Sequence, residues 1–424
     1  MKVYILAFGC SASFSDSEMM SGLLKENGFE IADKEEESDL NILVTCNVKL
    51  PTEKRMINEI KKFSSLNKPL IVAGCMPSTQ KELIEKINPK ASLFGPNSIS
   101  KIVEVVRNVA EGKRVVFLEN LKEPKVCLPR VQRSPLIHIT QISTGCNLAC
   151  SYCIVRLNKG PLFSFPFDLI VKDVEVAIKE GKKEVWITSQ DNSSYNFNGK
   201  NLANLLEKIC GIEGKFFVRV GMMNPFFTRK ILEGLIQAYK NEKIFKFLHL
   251  PIQSFSEKVL EDMKRGYKPK DALEIIEKFY KTFPNLTFST DVIIGFPSET
   301  EQDFQETLNF IERVKPDIVN ISKFGPRPKT EAEKMEKIPE NLIKKRSKEV
   351  FELVRKISFE KNQGWINWEG ECLIDEKGKK NTFIARNFTY KPIVIKNEKN
   401  LIGEFKNVRI TEAKSNYLIG EIIS

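Results

Sequence analysis

The chain has 424 residues, nine of them cysteines, and its 66 Lys and Arg against 55 Asp and Glu give a formal net charge of +11. This length predicts two or three domains, and so few cysteines exclude a disulfide-stapled scaffold. The start of the chain lacks the features of a secretory signal, and no run approaches the ~20 apolar residues of a membrane span. We therefore expect a soluble cytoplasmic protein with reduced thiols. Its basic excess favours nucleic acid as a partner, with a solvated lysine-rich surface as the alternative.

Residues 1–118 alternate short apolar runs with helix-period segments, which predicts a parallel sheet covered by helices. Three of the predicted strands, KVYILAF, LNILVTC and PLIVAGC, end at or just before Cys10, Cys46 and Cys75. Because parallel strands end at the same edge of a sheet, we expect these thiols to converge there. Any one of them could be a small buried thiol. Three equivalent positions favour a set of cluster ligands with one unfilled site.

Three further segments follow this domain. Residues 119–134 contain prolines and mixed charge without periodicity, which predicts an interdomain linker. Residues 135–360 contain six apolar strands separated by helical stretches and then a charged helix, which predicts a partial parallel (β/α)6 barrel with a trailing helix. An open doubly wound sheet is the alternative. Residues 361–424 contain short strands separated by turns, which predicts a small all-β barrel.

The stretch ISTGCNLACSYC contains a C-x3-C-x2-C triplet formed by Cys146, Cys150 and Cys153. Three thiolates at this spacing can hold an iron-sulfur cluster and leave one iron open, which favours catalysis over electron carriage. Zinc is the weaker alternative, because zinc sites mostly use paired C-x2-C units and the chain has only two histidines. His249 lies in an apolar strand and is interpreted as structural. The remaining cysteines lie in unrelated contexts and are also interpreted as structural: Cys127, Cys210 and Cys372.

The segment CNLACSYCIVR resembles the cluster loop of radical S-adenosylmethionine (SAM) enzymes, with Tyr152 at the usual aromatic position. The three-part layout and the strings FLHLPIQS, VLEDMKRGY and TDVIIGFPSETEQDF resemble the radical SAM methylthiotransferase family over nearly the whole chain. RVGMMNP, TSQD and the context of Arg156 are most similar to the archaeal and eukaryotic branch. That branch is implied to convert N6-threonylcarbamoyladenosine, beside the tRNA anticodon, to its 2-methylthio derivative. In order of resemblance, the enzymes that act on isopentenyladenosine come second and those that modify a ribosomal protein come third.

The resemblance implies two [4Fe-4S] clusters, one on the triplet and one on the three strand-end cysteines. SAM on the first cluster is implied to yield, on reduction, a 5′-deoxyadenosyl radical that removes hydrogen from adenine C2. A methyl group from another SAM is implied to reach a sulfur on the second cluster, and the methylthio unit then joins the substrate radical. The implied partners are tRNA, a low-potential electron donor of the ferredoxin or flavodoxin type, and a sulfur source.

Other residues match functional positions of the family. Six polar residues at strand ends in the barrel match positions near the cofactor: Ser189, Gln190, Asp191, Arg219, Gln253 and Asp291. Gln190 is the strongest single candidate, and the alternative for each is a polar residue that satisfies backbone or solvent groups. The C-terminal segment resembles a TRAM barrel, which is implied to bind tRNA phosphates through five basic residues: Arg386, Lys391, Lys396, Lys406 and Arg409. A solvated basic face is the alternative there.

Three positions depart from the family pattern. Ser13 lies in a run where an asparagine is usual, and Phe255 and Lys329 replace a small residue and a glycine. None of these changes removes a cluster ligand, but Phe255 would narrow the substrate pocket if its side chain pointed inward. A non-catalytic iron-sulfur protein that binds RNA is the alternative function of another class.

Overall fold

The computed structural model describes residues 1–423, and its first domain is a six-stranded parallel sheet in the order β2-β1-β3-β4-β5-β6. The strands are β1 Lys2–Ala7, β2 Glu30–Ile31, β3 Leu40–Thr45, β4 Leu70–Gly74, β5 Ser92–Phe94 and β6 Val116–Phe117. The helices are α1 Ser11–Glu26, α2 Leu50–Ser64, α3 Cys75–Thr79, α4 Lys81–Ile87 and α5 Ile102–Ala110. Strand order reverses between β1 and β3, and in such sheets the crevice at that point, beyond the carboxyl ends of the strands, receives ligands.

Helices cover both faces of this sheet. Met19, Met20 and Leu24 of α1 pack with α5 on one face, and Ile60 and Phe63 of α2 pack on the other. The predicted strands β1, β3 and β4 are confirmed. The pattern did not predict β2 and β6, because two residues are too few to show a period.

The second domain is a partial barrel, as predicted. Its six main strands are β7 Ile137–Gln141, β10 Glu184–Thr188, β13 Phe217–Val220, β14 Phe247–His249, β15 Thr287–Ile294 and β16 Ile318–Lys323. They form two parallel sheets, β13-β10-β7 and β14-β15-β16, which meet at a bridge between Val218 and Ile244. Within residues 1–423 the outer strands β7 and β16 do not pair with each other, so the barrel is open on one side.

Short strands and helices complete this domain. The short strands are β8 Ser143–Thr144, β9 Phe163–Ser164, β11 Asn196–Phe197 and β12 Lys200–Asn201. The helices are α6 Val155–Lys159, α7 Phe167–Lys179, α8 Leu202–Cys210, α9 Pro225–Thr228, α10 Leu232–Tyr239, α11 Glu257–Asp262, α12 Pro269–Thr282, α13 Glu301–Val314 and α14 Glu340–Gln363. The predicted charged helix is α14. No helix in the described part of the chain has the length and apolar character needed to cross a membrane.

The segment predicted as a linker is packed between the two domains. The Lys125 ammonium is buried 3.0 Å from Asp16 of α1, and the Cys127 amide donates to Asp173 of α7 at 2.7 Å. Gly22 of α1 lies so close to Pro129 that an added Cβ would stand 2.2 Å from the proline carbonyl. The segment therefore fixes the sheet domain against the barrel rather than leaving the two free to move.

The third domain is a closed barrel of five strands in the order β17-β18-β19-β21-β20. The strands are β17 Glu369–Lys377, β18 Thr382–Arg386, β19 Pro392–Lys396, β20 Phe405–Ala413 and β21 Leu418–Ile422. Tyr390 packs on Phe245 and Phe247 with ring centroids 4.8 and 5.4 Å away, and Phe405 lies 6.1 Å from Phe217. These contacts close the amino-terminal end of the larger barrel.

Two residues expected to bind RNA lie in this interface instead. The Lys391 ammonium is buried and donates to Asp317 and Asn362, each at 2.9 Å. Arg386 donates to Asp375 at 3.1 Å and its side chain is 16% exposed. Their charges are neutralised inside the protein, so the expectation that they meet phosphates is wrong. Lys396 and Arg409 are exposed, Lys406 is half-buried, and Arg409 and Lys406 pair with surface carboxylates.

Glu184 is buried at the same interface, where its carboxyl accepts a hydrogen bond from Trp186. Burial, followed by the charge of Asp375, raises the pKa of Glu184 to about 8. An unfolded glutamate loses its proton near pH ~4.3. The folded protein therefore holds a proton that the unfolded chain releases, and stability falls as the pH rises from that value toward the folded pKa.

Replacing Glu184 with Gln removes this titration and keeps an amide that can donate a hydrogen bond. We expect the melting temperature of Glu184→Gln to exceed that of the unmodified protein by a few degrees at about pH 8, and by less at about pH 5. Glu213→Gln, at an exposed position, is the control and should show no such trend. A difference in melting temperature that is constant across pH would contradict the assigned protonation.

Candidate active site

The first candidate site lies at the carboxyl ends of β1, β3 and β4. Cys10 precedes α1, Cys46 follows β3, and Cys75 begins α3. Gly9, at φ +127°, allows the first two loops to approach, because an added Cβ would stand 2.8 Å from the Cys46 Cβ. Thr45 pairs with Gly74 in the β3–β4 register, which places Cys46 and Cys75 side by side. The structure thus brings the three strand-end cysteines together at the switch point of the sheet.

Two of these thiols, Cys46 and Cys75, are buried near the ammonium of Lys159. Burial raises the pKa of the Cys46 thiol, and it raises the pKa of Cys75 to about 12. Burial alone would lower the pKa of the Lys159 ammonium, but the charges of Cys75, Asp16, Cys10 and Cys46 outweigh it, and the pKa is raised. Thiols of this kind become thiolates only with a bound cation, and the irons of a cluster supply that charge.

The second candidate site is the loop that carries the C-x3-C-x2-C triplet. Its turn is closed by a hydrogen bond from the Cys153 amide to the Cys150 carbonyl at 3.0 Å, and the Cys146 amide donates to the Gly160 carbonyl at 3.2 Å. Burial, and then the charge of Cys150, raises the pKa of Cys153 to about 12. The Tyr152 ring packs edge-on against Phe296 at 6.4 Å. The three thiols therefore lie in one ordered loop inside the protein.

Arg265 also approaches this loop, although it was not among the residues selected from the sequence. Its Nη1 atom lies 3.5 Å from the Cys150 sulfur and 3.4 Å from the Tyr152 hydroxyl, and its Nη2 atom donates to the Pro251 carbonyl at 2.8 Å. The side chain is buried, and its ring partner Tyr267 lies beneath the guanidinium. A guanidinium in this position donates to a thiolate and partly neutralises its charge. The only sequence signal was the string VLEDMKRGY, which did not indicate which of its residues faces the loop.

Polar atoms without partners lie beside the triplet. Asp191 accepts hydrogen bonds from the Ser193 hydroxyl at 2.6 Å and the Asn224 amide at 3.0 Å, but its Oδ2 atom and the Gln190 Oε1 atom are buried without a hydrogen bond in residues 1–423. The Asp191 charge acts on Cys146, so these acceptors are close to the loop. Buried acceptors of this kind need a donor, and an amino group of a bound cofactor would supply one. Ser189 holds the turn through the Asp191 amide at 3.2 Å.

The other predicted cofactor residues lie elsewhere in the barrel. Arg219 lies over the rings of Trp186, Phe247 and Tyr390 at 5.1 to 5.2 Å, toward the end closed by the third domain, and its expected contact with the cofactor stays a prediction. Asp291 accepts a hydrogen bond from His249 at 2.9 Å.

The remaining cofactor candidate is Gln253, and the two other departures from the family pattern are Phe255 and Lys329. Gln253 has φ +78°, and its backbone pairs with Asp291 and Ile293. Phe255 stacks on Phe310 with a centroid distance of 3.8 Å, so it packs against α13 and does not narrow a pocket. Lys329 has φ +65°, the left-handed conformation for which glycine is best suited.

A triangle of side-chain hydrogen bonds joins the two sites. Asn47, next to Cys46, donates to Thr79 of α3 at 2.9 Å. Thr79 donates to Asn158 of α6 at 2.8 Å, and Asn158 donates back to Asn47 at 2.8 Å. All three side chains are buried. Because α6 follows the triplet and α3 begins at Cys75, the triangle fixes the separation of the two cysteine sites.

The donor sets fit clusters better than single ions. Each site offers three thiols and no histidine, which is the donor set of a cluster with one open iron. Within residues 1–423 no three Cys, His, Asp or Glu side chains are placed to bind one common metal ion. A four-iron cluster holds its thiolates further apart than a single ion does, so the absence of a single-ion site does not exclude a cluster.

Comparisons with known proteins agree with this architecture. Sequence profiles match for the Radical SAM superfamily at residues 140–311, for the Uncharacterized protein family UPF0004 at 2–95 and for the TRAM domain at 369–423. A probable threonylcarbamoyladenosine tRNA methylthiotransferase of Pyrococcus horikoshii is 38% identical over 100% of both chains. The threonylcarbamoyladenosine tRNA methylthiotransferase of Homo sapiens is 34% identical over 100% of this chain and 74% of its own.

Among solved structures, the radical SAM methyltransferase TsrM from Kitasatospora setae, with cobalamin and a [4Fe-4S] cluster bound, has a similar fold. The TM-score is 0.57 at 14% identity, and the match covers 78% of this chain and 74% of that one. At this identity the match concerns the fold alone.

We expect Arg265→Met to lower the reduction potential of a cluster on the triplet, because a charged donor to a thiolate is lost. Loss of one charge-assisted hydrogen bond corresponds to a decrease on the order of 50 mV for a one-electron couple. The measurement is an anaerobic potential titration followed by electron paramagnetic resonance, in a background with Cys10, Cys46 and Cys75 replaced by Ala. Arg265→Lys keeps the charge and should show a smaller change. Equal potentials in all three proteins would contradict the contact.

Proposed function

The chain belongs to the family of threonylcarbamoyladenosine tRNA methylthiotransferases, and on that premise we propose that it converts N6-threonylcarbamoyladenosine beside the tRNA anticodon to the 2-methylthio derivative. The observation that carries the proposal is the pair of three-cysteine sites joined by the Asn47–Thr79–Asn158 triangle. Sulfur insertion needs a group that activates the substrate and a second group that supplies sulfur, and both have to reach one base. Two sites at a fixed separation meet that requirement.

We assign the triplet Cys146, Cys150 and Cys153 to a [4Fe-4S] cluster whose open iron takes SAM. Bound there, the cofactor supplies the chemistry that an unreactive aromatic C–H bond requires. The unpartnered acceptors of Gln190 and Asp191 are suited to the methionine amino group.

We assign Cys10, Cys46 and Cys75 to a second [4Fe-4S] cluster that carries the sulfur to be transferred. The location supports this assignment, because Cys10 is exposed while Cys46 and Cys75 are buried. One side of the site is therefore open for exchange and the other is held in the core.

The third domain is the proposed tRNA-binding unit. Of the five basic residues predicted to bind tRNA, Lys396 and Arg409 are exposed and Lys406 is half-buried. Their pairs with surface carboxylates are weak and leave them able to meet phosphates. We further propose a low-potential donor of the ferredoxin or flavodoxin type, a sulfur source and a cytoplasmic reaction.

Nucleoside mass spectrometry tests the reaction. tRNA containing N6-threonylcarbamoyladenosine, incubated anaerobically with reconstituted protein, SAM, sulfide and dithionite, should gain one methylthio group on that nucleoside. Cys10→Ala should form at least about a hundredfold less methylthio product. It should still form 5′-deoxyadenosine, because the cluster on Cys146, Cys150 and Cys153 is intact. Cys127→Ala, at an exposed cysteine outside both sites, is the control. Product on isopentenyladenosine tRNA instead would contradict the substrate assignment.

Iron content tests the two-cluster assignment separately. Reconstituted protein should hold roughly eight irons per chain, and the Cys146, Cys150 and Cys153 triple Ala variant roughly four. A Cys10, Cys46 and Cys75 triple Ala variant should also hold roughly four. Four irons in the unmodified chain, unchanged by Cys10→Ala, would remove the second cluster.

A further inference from the structure

Within residues 1–423 four lysines are buried, and the ammonium of one of them makes no hydrogen bond. Lys125 donates to Asp16, Lys182 to the Ser134 and Pro135 carbonyls, and Lys391 to Asp317 and Asn362, all at 2.7 to 3.0 Å. Lys159 is 4% exposed, and in residues 1–423 only its backbone makes hydrogen bonds, with its carbonyl accepting from Asn97 at 2.9 Å. An ammonium that ends a buried side chain and has no hydrogen-bond partner is suited to an anion that is not part of the chain.

The surroundings of Lys159 show where that anion lies. Its helix α6 packs on α3, which begins at Cys75, and the ionisable groups near its ammonium are Cys75, Asp16, Cys10 and Cys46. Asp16 is already engaged by Lys125 at 3.0 Å and Gln141 at 2.8 Å. The remaining anionic neighbour is the site formed by the three strand-end cysteines.

The helix that carries Lys159 determines the direction from which its side chain approaches the strand-end cysteines. Lys159 is the last residue of α6, the helix that follows the triplet and packs on α3. It therefore reaches the strand-end cysteines from the side of the barrel. A substrate base that meets both sites has to lie on that same side.

We propose that the Lys159 ammonium binds the anionic sulfur, sulfide or methanethiolate, that occupies the open position of the cluster on Cys10, Cys46 and Cys75. This inference rests on the proposed function, since it requires the second cluster. Lys159 is then a positioning residue: it donates hydrogen bonds to the sulfur and holds it toward the triplet. Lys159 approaches from the side of the barrel, where the transferred sulfur has to lie, so the anionic group at the open position is the acceptor on that side.

The test measures binding of methanethiolate to this cluster alone. In the Cys146, Cys150 and Cys153 triple Ala background, methanethiolate is titrated anaerobically and the reduced cluster is followed by electron paramagnetic resonance. Lys159→Met should weaken binding about tenfold or more, as expected for one hydrogen bond to a charged group. Lys159→Arg, which keeps the charge, should stay within about threefold of the background. Lys86→Met, at an exposed lysine of α4, makes the same change of charge and should have no effect.

A second measurement avoids the risk that Lys159→Met fails to take up iron. Protein labelled with [15N]lysine should show a weak 15N coupling at the cluster with methanethiolate bound, and labelled Lys159→Arg should lack it. Equal methanethiolate affinity in iron-loaded Lys159→Met, or no 15N coupling in the unmodified residue, would overturn the inference and leave the cluster assignment intact. No iron in the triple Ala background would instead overturn the second cluster, and this inference with it.

Discussion

The hydrogen-bonded triangle of Asn47, Thr79 and Asn158 is the constraint on which the rest of the arrangement depends. Each side chain belongs to a segment that begins or ends at a proposed ligand, so the two cysteine sites cannot shift independently without breaking buried amide hydrogen bonds. Leaving such groups unpaired costs about 1–3 kcal/mol each. The proposed ligands of each site are its thiols, but the distance between the two sites depends on polar residues that are not ligands.

The other two interfaces support this arrangement from opposite sides. The segment around Lys125 holds the sheet domain on the barrel through a buried ion pair. Tyr390 and Phe405 close the amino-terminal end of the barrel and leave its other end to the cysteine sites. Glu184 shows that this closure has an energetic consequence, because a carboxyl is kept protonated to allow it. The barrel therefore has one closed end and one end for chemistry, as partial barrels of this kind require.

Local patterns in the sequence predicted much of the fold and both cysteine sets. The six main barrel strands, α14 and the five strands of the third domain carry clear periods, and a cysteine after a strand has a defined place at the sheet edge. Residues whose role depends on distant packing were not found. Arg265 meets Cys150 across 115 positions, and no period reports such a contact. Arg386 and Lys391 were misassigned because the sign of a charge does not indicate whether a buried carboxylate already neutralises it.

Gly22 adds a consequence for how such a protein can change over time. It touches Pro129 on the backbone and lies in neither cysteine site, yet any side chain there would press α1 away from the segment that joins the sheet domain to the barrel. The distance between the two cysteine sites thus depends in part on Gly22, a residue that has no reactive side chain. Substrate range can diversify at the rim of the barrel while this contact stays unchanged, because the geometry of sulfur delivery and the identity of the recognised base are encoded in separate parts of the chain.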